Sequence, residues 1–272
     1  MDNAVFAAFA VTIAAGLATL LGWLTVVRGS TANPRMLAFG LAFSAGAMIY
    51  VSLVEIFVKS QDSFASAAWF AGGDQAAYAM ATLMLFFGVG LVIALDRLVP
   101  NPHGQLDSNP NVASTPNRRA PDPLLARAGL LAAAAITAHN VPEGLATFFS
   151  TLNDPGVGSS LAIAIAVHNV PEGVAIALPI FYATGSKSQA LIWTLVSALA
   201  EPLGALLGYL VLGGDPNAMS YGIVFGMIAG VMVFLSLDEL LPAAKRYAKG
   251  HETVYGMVIG MALLALSLVL FK

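Results

Sequence analysis

Eight long apolar stretches constrain this chain more than any other feature. A helix that crosses a bilayer needs about 20 predominantly apolar residues. Only 10% of the 272 residues are charged and 58% are hydrophobic, whereas a soluble domain carries about 25% charged residues. The sequence therefore predicts an all-α integral membrane protein embedded in the lipid bilayer. The eight predicted transmembrane helices cover about 4–27, 35–58, 76–98, 124–150, 159–183, 188–212, 217–242 and 253–271.

The distribution of basic residues predicts how these spans are oriented. Cytoplasmic loops carry an excess of Lys and Arg. With the N-terminus outside, only Lys59 and Lys272 of the 12 Lys and Arg residues fall on the outer side, so we expect both termini outside. The one long connection, 99–123, is rich in Pro, Asn and Ser and is predicted to be a disordered cytoplasmic loop.

Composition and missing motifs exclude several classes of function. The chain has no cysteine, which excludes disulfides, thiolate metal sites and Fe–S clusters. The net charge of -3 is small and argues against a nucleic-acid partner. There is no G-x-x-x-x-G-K-[ST] run and no loop long enough for a nucleotide-binding domain, so we expect no nucleotide partner and no pump driven by this chain alone.

One hexapeptide, H-N-V-P-E-G, occurs twice, in the fourth and fifth predicted spans. Because helix positions i, i+1 and i+4 share one sector, the His, Asn and Glu of each copy converge. A glutamate lies near the middle of the sixth span, in an otherwise apolar run. A charged group at the bilayer centre costs about 2.5–3.5 kcal/mol on insertion scales, and a divalent cation would offset that cost directly. The predicted ligands are His139, Asn140, Glu143, His168, Asn169, Glu172 and Glu201.

A second, subtler repeat relates the second and seventh predicted spans. The segment 45–55 matches 229–239, with Ala-Gly, Met, Ser-Leu and Glu at equivalent positions. Both repeats relate helices of opposite orientation, which is typical of inverted-repeat transporters with a site near the midplane. Four residues here are weaker candidates for metal contact. One is a thioether, which at helical spacing is more often a core residue than a ligand. The other three are acids that could be stations for metal or solvated helix-end groups. The four residues are Met48, Glu55, Asp238 and Glu239.

Taken together, the two hexapeptides, Ala200-Glu201 and the segment Ser236–Pro242 resemble those of the ZIP (Zrt/Irt-like) divalent-metal transporters, in particular their bacterial members. The resemblance covers essentially the whole chain. It implies an eight-helix inverted-repeat bundle (3+2+3) in the bacterial cytoplasmic (inner) membrane, and a secondary transporter rather than an enzyme. Its expected substrate is Zn²⁺, with Fe²⁺, Mn²⁺, Co²⁺ and Cd²⁺ as further candidates, taken up into the cytosol.

The resemblance also implies a binuclear site. One metal position would use His139, Glu143, His168 and Glu172, and the other Asn140, Glu143, Asn169, Glu172 and Glu201. Many family members carry a histidine-rich loop after the third helix, whereas that loop here holds only His103.

Some alternatives stay open at this stage. A divalent-cation channel would use the same ligands as a carrier. An intramembrane metal-dependent hydrolase is less favoured, because H-E-x-x-H chemistry needs a glutamate where this motif has asparagine. The small residues Gly222, Gly226 and Gly230 permit tight packing either within one chain or between the chains of a homodimer.

Overall fold

The computed structural model describes residues 3–28, 34–67, 73–98 and 123–271. The predicted loop 99–123 lies outside the described residues, except for Pro123. Every described element is a helix, in eight long rods. They are α1 (Asn3–Leu17 and Thr19–Arg28), α2 (Pro34–Val51, Ser52–Ile56 and Phe57–Ser66), α3 (Gly73–Leu98), α4 (Pro123–Asn153), α5 (Pro155–Thr184), α6 (Lys187–Leu212), α7 (Ala218–Leu235, Ser236–Leu240 and Leu241–Tyr247) and α8 (Glu252–Phe271).

These rods confirm the prediction of an all-α membrane protein. Seven of them contain a described stretch that is long and apolar enough to cross a bilayer. The remaining rod, α4, carries the first hexapeptide and is the longest helix of the eight that is free of interruption. The chain is thus a multi-pass membrane protein.

Two helices are longer than the hydropathy pattern indicates. α2 continues to Ser66 and α7 to Tyr247, well past their predicted ends. Hydropathy marks only the part of a helix that lipid would cover, whereas these extensions are held by contacts between helices. In α2 the buried Ser60 Oγ donates to the Gly222 carbonyl of α7 at 2.6 Å, and Phe64 packs against the same glycine.

Both of these helices also contain one π-helical turn, at Ser52–Ile56 and at Ser236–Leu240. The two turns begin at equivalent positions of the second sequence repeat. A π-turn inserts an extra residue into the hydrogen-bond ladder and often accompanies a functional site. The sequence pattern predicted the repeat but not this local geometry.

Helix packing follows the same two-fold relation. In α2, Gly46 lies against the Met257 backbone of α8, and in α7, Gly230 lies against the Leu85 backbone of α3. Gly260 of α8 lies against Phe43, just as Gly88 of α3 lies against Met227. Each contact in one half of the chain thus has a counterpart in the other half, as expected for a repeat.

The rods form two groups. α1, α4, α5 and α6 pack on one another, and α2 packs on α8, α3 and α7. The glycine stripe of α7 is used inside the chain, since Gly222, Gly226 and Gly230 contact Phe64, Met84 and Leu85. Those glycines therefore pack α7 against α2 and α3 within the protomer.

Candidate metal centre

A tight turn places the two hexapeptides side by side. α4 ends at Asn153 and α5 begins at Pro155, and the two helices pack along each other. Asp154 caps α5 by accepting hydrogen bonds from the backbone N–H groups of Gly156 and Val157 at 2.9 and 3.2 Å. Proline suits the first position of a helix because its missing N–H would have no partner there.

Three side chains meet between these helices. Glu143, His168 and Glu172 each offer a ligand atom, and these atoms all lie within 4.8 Å of one another. All three side chains are buried, with 0, 1 and 0% of their surface exposed. His168 Nε2 lies 3.2 Å from Glu143 Oε1. An imidazole and two carboxylates at this separation are a set that divalent transition metals bind. His139 belongs to α4, but its side chain lies outside the part that the structure describes.

The two motif asparagines are held by equivalent hydrogen bonds. Asn140 Nδ2 donates to the Ser197 carbonyl of α6 at 3.0 Å, and Asn169 Nδ2 donates to the Ala15 carbonyl of α1 at 2.9 Å. Asn169 Nδ2 also donates to Glu201 Oε1 at 2.6 Å. Since the amide nitrogens are engaged, each amide oxygen is left as an electron-pair donor. The last of these bonds ties Glu201 of α6 to the hexapeptide of α5, and Ser197 of α6 contacts Asn140 in the hexapeptide of α4.

Several buried acceptor atoms of the centre have no hydrogen-bond partner among the described residues. A buried polar atom without a partner is costly, so a set of them in one place needs a further partner. Metal ions bound by these side chains would accept electron pairs from such atoms. These atoms are Asn140 Oδ1, Asn169 Oδ1, His168 Nδ1, Glu201 Oε2 and both carboxylate oxygens of Glu172.

Glycines bring the flanking helices close to the centre. A β-carbon at Gly144 would overlap the Glu201 carbonyl of α6, and one at Gly173 would overlap the Thr19 carbonyl of α1. Gly204 and Gly22 make the return contacts, against Val141 and Val170. α1 and α6 therefore occupy equivalent places around the two hexapeptides. At the position where α6 carries Glu201, α1 carries Thr19.

Three buried carboxylates belong to this part of the molecule, those of Glu143, Glu172 and Glu201. Like charges in a low-dielectric interior repel far more than they do in water. A divalent cation among these groups would remove most of that cost.

Two features of the centre were not predicted from the sequence. α1 is interrupted at Ala18, where 3₁₀-type bonds of 3.1 and 2.9 Å replace the regular ladder. The Ala15 carbonyl accepts from the Ala18 N–H in the first of these bonds and also from Asn169 Nδ2. Ser44 Oγ of α2 donates to the His168 carbonyl at 3.0 Å. An alignment of α1 with α6 could have indicated the Asn169–Ala15 contact. The two sequence repeats relate α4 to α5 and α2 to α7, so they did not suggest that alignment.

The four weaker candidates belong to α2 and α7. Met48 is fully buried in the hydrophobic core. Glu55 and Glu239 were predicted at helix ends, and that placement is wrong, because α2 and α7 continue for several turns beyond them. Both acids lie in the π-turns, with Glu55 only 4% exposed. Asp238 and Glu239 are half-buried. Among the described His, Asp and Glu residues, only Glu143, His168 and Glu172 place three ligand atoms within 4.8 Å of one another.

Comparison with known proteins shows the family of this chain. A family model described as ZIP Zinc transporter matches residues 100–268. Proteins named Zinc transporter ZupT are similar over almost their full length. The one from Stenotrophomonas maltophilia (strain R551-3) is 57% identical, covering 98% of this chain and 97% of the relative. The one from Neisseria meningitidis serogroup C (strain FAM18) is 56% identical, with 97% and 95% covered.

A more distant relative of the same name, from Oceanobacillus iheyensis, is 45% identical and covers 99% of both chains. The family model spans more than half of the chain, and the relatives align from end to end. The family consists of transporters and not of enzymes, in agreement with the expectation from the sequence. The chain belongs to the ZIP zinc transporter family.

Proposed function

We propose that this protein takes up zinc across the bacterial cytoplasmic membrane through a binuclear site between α4, α5 and α6. The observation that carries the proposal is the buried group of Glu143, His168 and Glu172. Three relatives named Zinc transporter ZupT, aligned over nearly the whole chain, support zinc as the substrate.

The two metal positions differ in their ligands. Zn²⁺ in the first would be held by His139, Glu143, His168 and Glu172. The second would use the amide oxygens of Asn140 and Asn169, with Glu201 beside the two bridging carboxylates. Equivalent asparagine hydrogen bonds on α1 and α6, with Glu201 on one side only, support this asymmetry.

Imidazole, carboxylate and amide ligands rank divalent metals weakly. We therefore propose four further substrates, Fe²⁺, Mn²⁺, Co²⁺ and Cd²⁺. The degree to which each competes with zinc uptake would rank the preference of the protein for them.

The packing of the helices supports a carrier rather than an open channel. All of the proposed ligands belong to α4, α5 and α6, which pack together with α1. The second group touches the site region through α2, where Ser44 meets His168 and Gly40 meets Pro171. A movement of one group against the other would expose the same ligands first to one side and then to the other. Both termini are proposed to lie outside, on the basis of the Lys and Arg distribution.

Zinc uptake into proteoliposomes tests the proposal. Glu143→Ala and Glu172→Ala each remove a bridging carboxylate, and we expect each to reduce uptake to background. Asp62→Asn, which neutralises an exposed acid of α2, serves as the control and should transport normally. Unchanged uptake in both Ala variants would exclude this site.

Saturable uptake would mark a carrier, whereas rates near diffusion would mark a channel.

A further inference from the structure

Two hydroxyl groups continue the ligand face of α4 beyond the metal centre. Thr147 and Ser150 follow Glu143 at i+4 and i+7, so the three side chains share one face of the helix. Both hydroxyl-bearing residues are fully buried. Neither Thr147 Oγ1 nor Ser150 Oγ has a hydrogen-bond partner among the described residues.

This lack of partners is unusual for a helical hydroxyl in this protein. A Ser or Thr inside a helix can satisfy itself by donating to the carbonyl four residues earlier. Many do so here, including the immediate neighbour Thr151, which donates to the Thr147 carbonyl at 2.7 Å. The other buried examples are Thr12, Thr194 and Ser236. Thr147 and Ser150 do not form this bond to the carbonyl four residues earlier, so their hydroxyls can bind another partner.

The positions of these hydroxyls trace a path from the centre to one end of the molecule. At a rise of about 1.5 Å per residue, Ser150 lies about 10 Å from Glu143 along the helix axis. The exposed Asn153 follows one turn later, at the end of α4. On α2, Ser52 is also fully buried and its Oγ has no described hydrogen-bond partner.

Ser52 lies about the same distance from the centre as Ser150. Ser44 contacts His168 and so marks the level of the centre on α2. Ser52 is two turns beyond Ser44, just as Ser150 is two turns beyond Glu143. If α2 and α4 both run outward, as the charge distribution predicts, Ser52 and Ser150 lie at equal depth.

The other half of the repeat lacks these groups. The positions of α5 that correspond to Thr147 and Ser150 are Ile176 and Pro179, both buried. The counterpart of Ser52 is Ser236, whose Oγ donates to the Met232 carbonyl at 2.6 Å. Among these described positions of the two repeats, the hydroxyls without a partner therefore lie on the side of the centre toward the turn between α4 and α5.

We propose that Thr147 and Ser150 of α4, together with Ser52 at the same depth on α2, line the outer access path by which a hydrated divalent cation reaches the site. Their oxygens would hydrogen-bond the waters that the cation carries and replace some of them as it approaches Glu143. This inference rests on the proposed transport function and adds residues to it. The apolar Ile176 would keep the opposite half closed to water while the outer half is open.

Cysteine accessibility in cells tests the path, because the chain has no native cysteine. Thr147→Cys and Ser150→Cys should react with a membrane-impermeant thiol reagent added outside, and zinc should slow both reactions. Asn153→Cys, at the exposed end of α4, should react faster and without protection by zinc. Ile176→Cys, the symmetry-related control, should not react from outside.

Two results would overturn the path. One is reaction of Thr147→Cys and Ser150→Cys no faster than that of Ile176→Cys. The other is labelling that occurs only in inverted vesicles, which would place these residues on the cytoplasmic side.

A second pair of variants keeps the proposal testable if the cysteines disturb folding. Thr147→Val and Ser150→Ala remove only the hydroxyls, and we expect uptake at low zinc to fall about fivefold for the pair, the effect of roughly one lost hydrogen bond. Zinc affinity measured by calorimetry on the purified protein should stay unchanged. Normal uptake in the double variant would contradict the path. Because Glu143→Ala tests the site separately, a failed path and a failed transport function give different results.

Discussion

Each asparagine of the two hexapeptides has an equivalent partner, but the carboxylate beside them is present only once. Asn140 and Asn169 donate to carbonyls at corresponding points of α6 and α1. Glu201 then adds a carboxylate where α1 has Thr19. We therefore expect the duplicated motif to make two unlike metal positions, with Glu201 in only one of them.

Removing the charge of Glu201 should empty one position and leave the other. In Glu201→Gln the side chain keeps its shape and can still accept from Asn169 Nδ2. We expect the zinc content of the purified protein, measured by mass spectrometry, to fall from two ions to one per chain. Thr19→Val, at the symmetry-related position, is the control and should keep both. Two ions in Glu201→Gln would show that Glu201 is not a ligand.

At this scale, sequence spacing predicts which ligands converge but not what holds them. The i, i+4 spacing predicts that the ligands of each hexapeptide share one helix face, and the ligand atoms of Glu143, His168 and Glu172 lie within 4.8 Å of one another. It could not predict that the Ala15 carbonyl would accept from Asn169. That carbonyl lies at the interruption of α1, where it also accepts from the Ala18 N–H, and no Pro or charged residue near Ala18 signals the interruption.

Glycine contacts determine how closely the helices of the site approach one another. Gly144 and Gly173 lie directly against the backbones of α6 and α1, so the motif supplies close packing as well as ligands. This explains why each glutamate of the hexapeptide is followed by a residue with no side chain.

Adding one methyl group at this crossing should destabilise the protein. A β-carbon in Gly144→Ala would overlap the Glu201 carbonyl, and overpacking of this kind costs about 1–3 kcal/mol. We expect a lower unfolding temperature in detergent, together with weaker zinc uptake because α6 is displaced. Gly90→Ala in α3, where a β-carbon would meet nothing within 4 Å, should unfold at the native temperature or slightly above. Equal unfolding temperatures for the two variants would contradict this packing.

The lengths and interruptions of the helices were predicted less well than their number. The helix ends predicted from hydropathy come too early in α2 and α7. The last turns of these helices, such as Phe57–Ser66, are too polar to be counted as lipid-facing. Those turns are nevertheless fixed by contacts such as Ser60 to Gly222. The π-turns at Ser52–Ile56 and Ser236–Leu240 depend on the same long-range packing, so a local pattern could not show them.

Over the whole molecule, all of the proposed ligands belong to one of the two groups of helices. The ligands lie on α4, α5 and α6, which pack with α1, and α2 makes the main described contacts to them from the other group. The inverted repeat therefore does two things. It duplicates the ligands on α4 and α5, and it surrounds them with equivalent helices that contact them through matching glycines.

The central claim is that the metal binds between Glu143, His168 and Glu172. Anomalous diffraction at the zinc absorption edge, from crystals of the protein grown with zinc, measures this position directly. We expect an anomalous peak within coordination distance of all three side chains, about 2.0–2.2 Å from each ligand atom, and its loss in Glu143→Ala. A native crystal whose zinc peaks lie only elsewhere would contradict the claim.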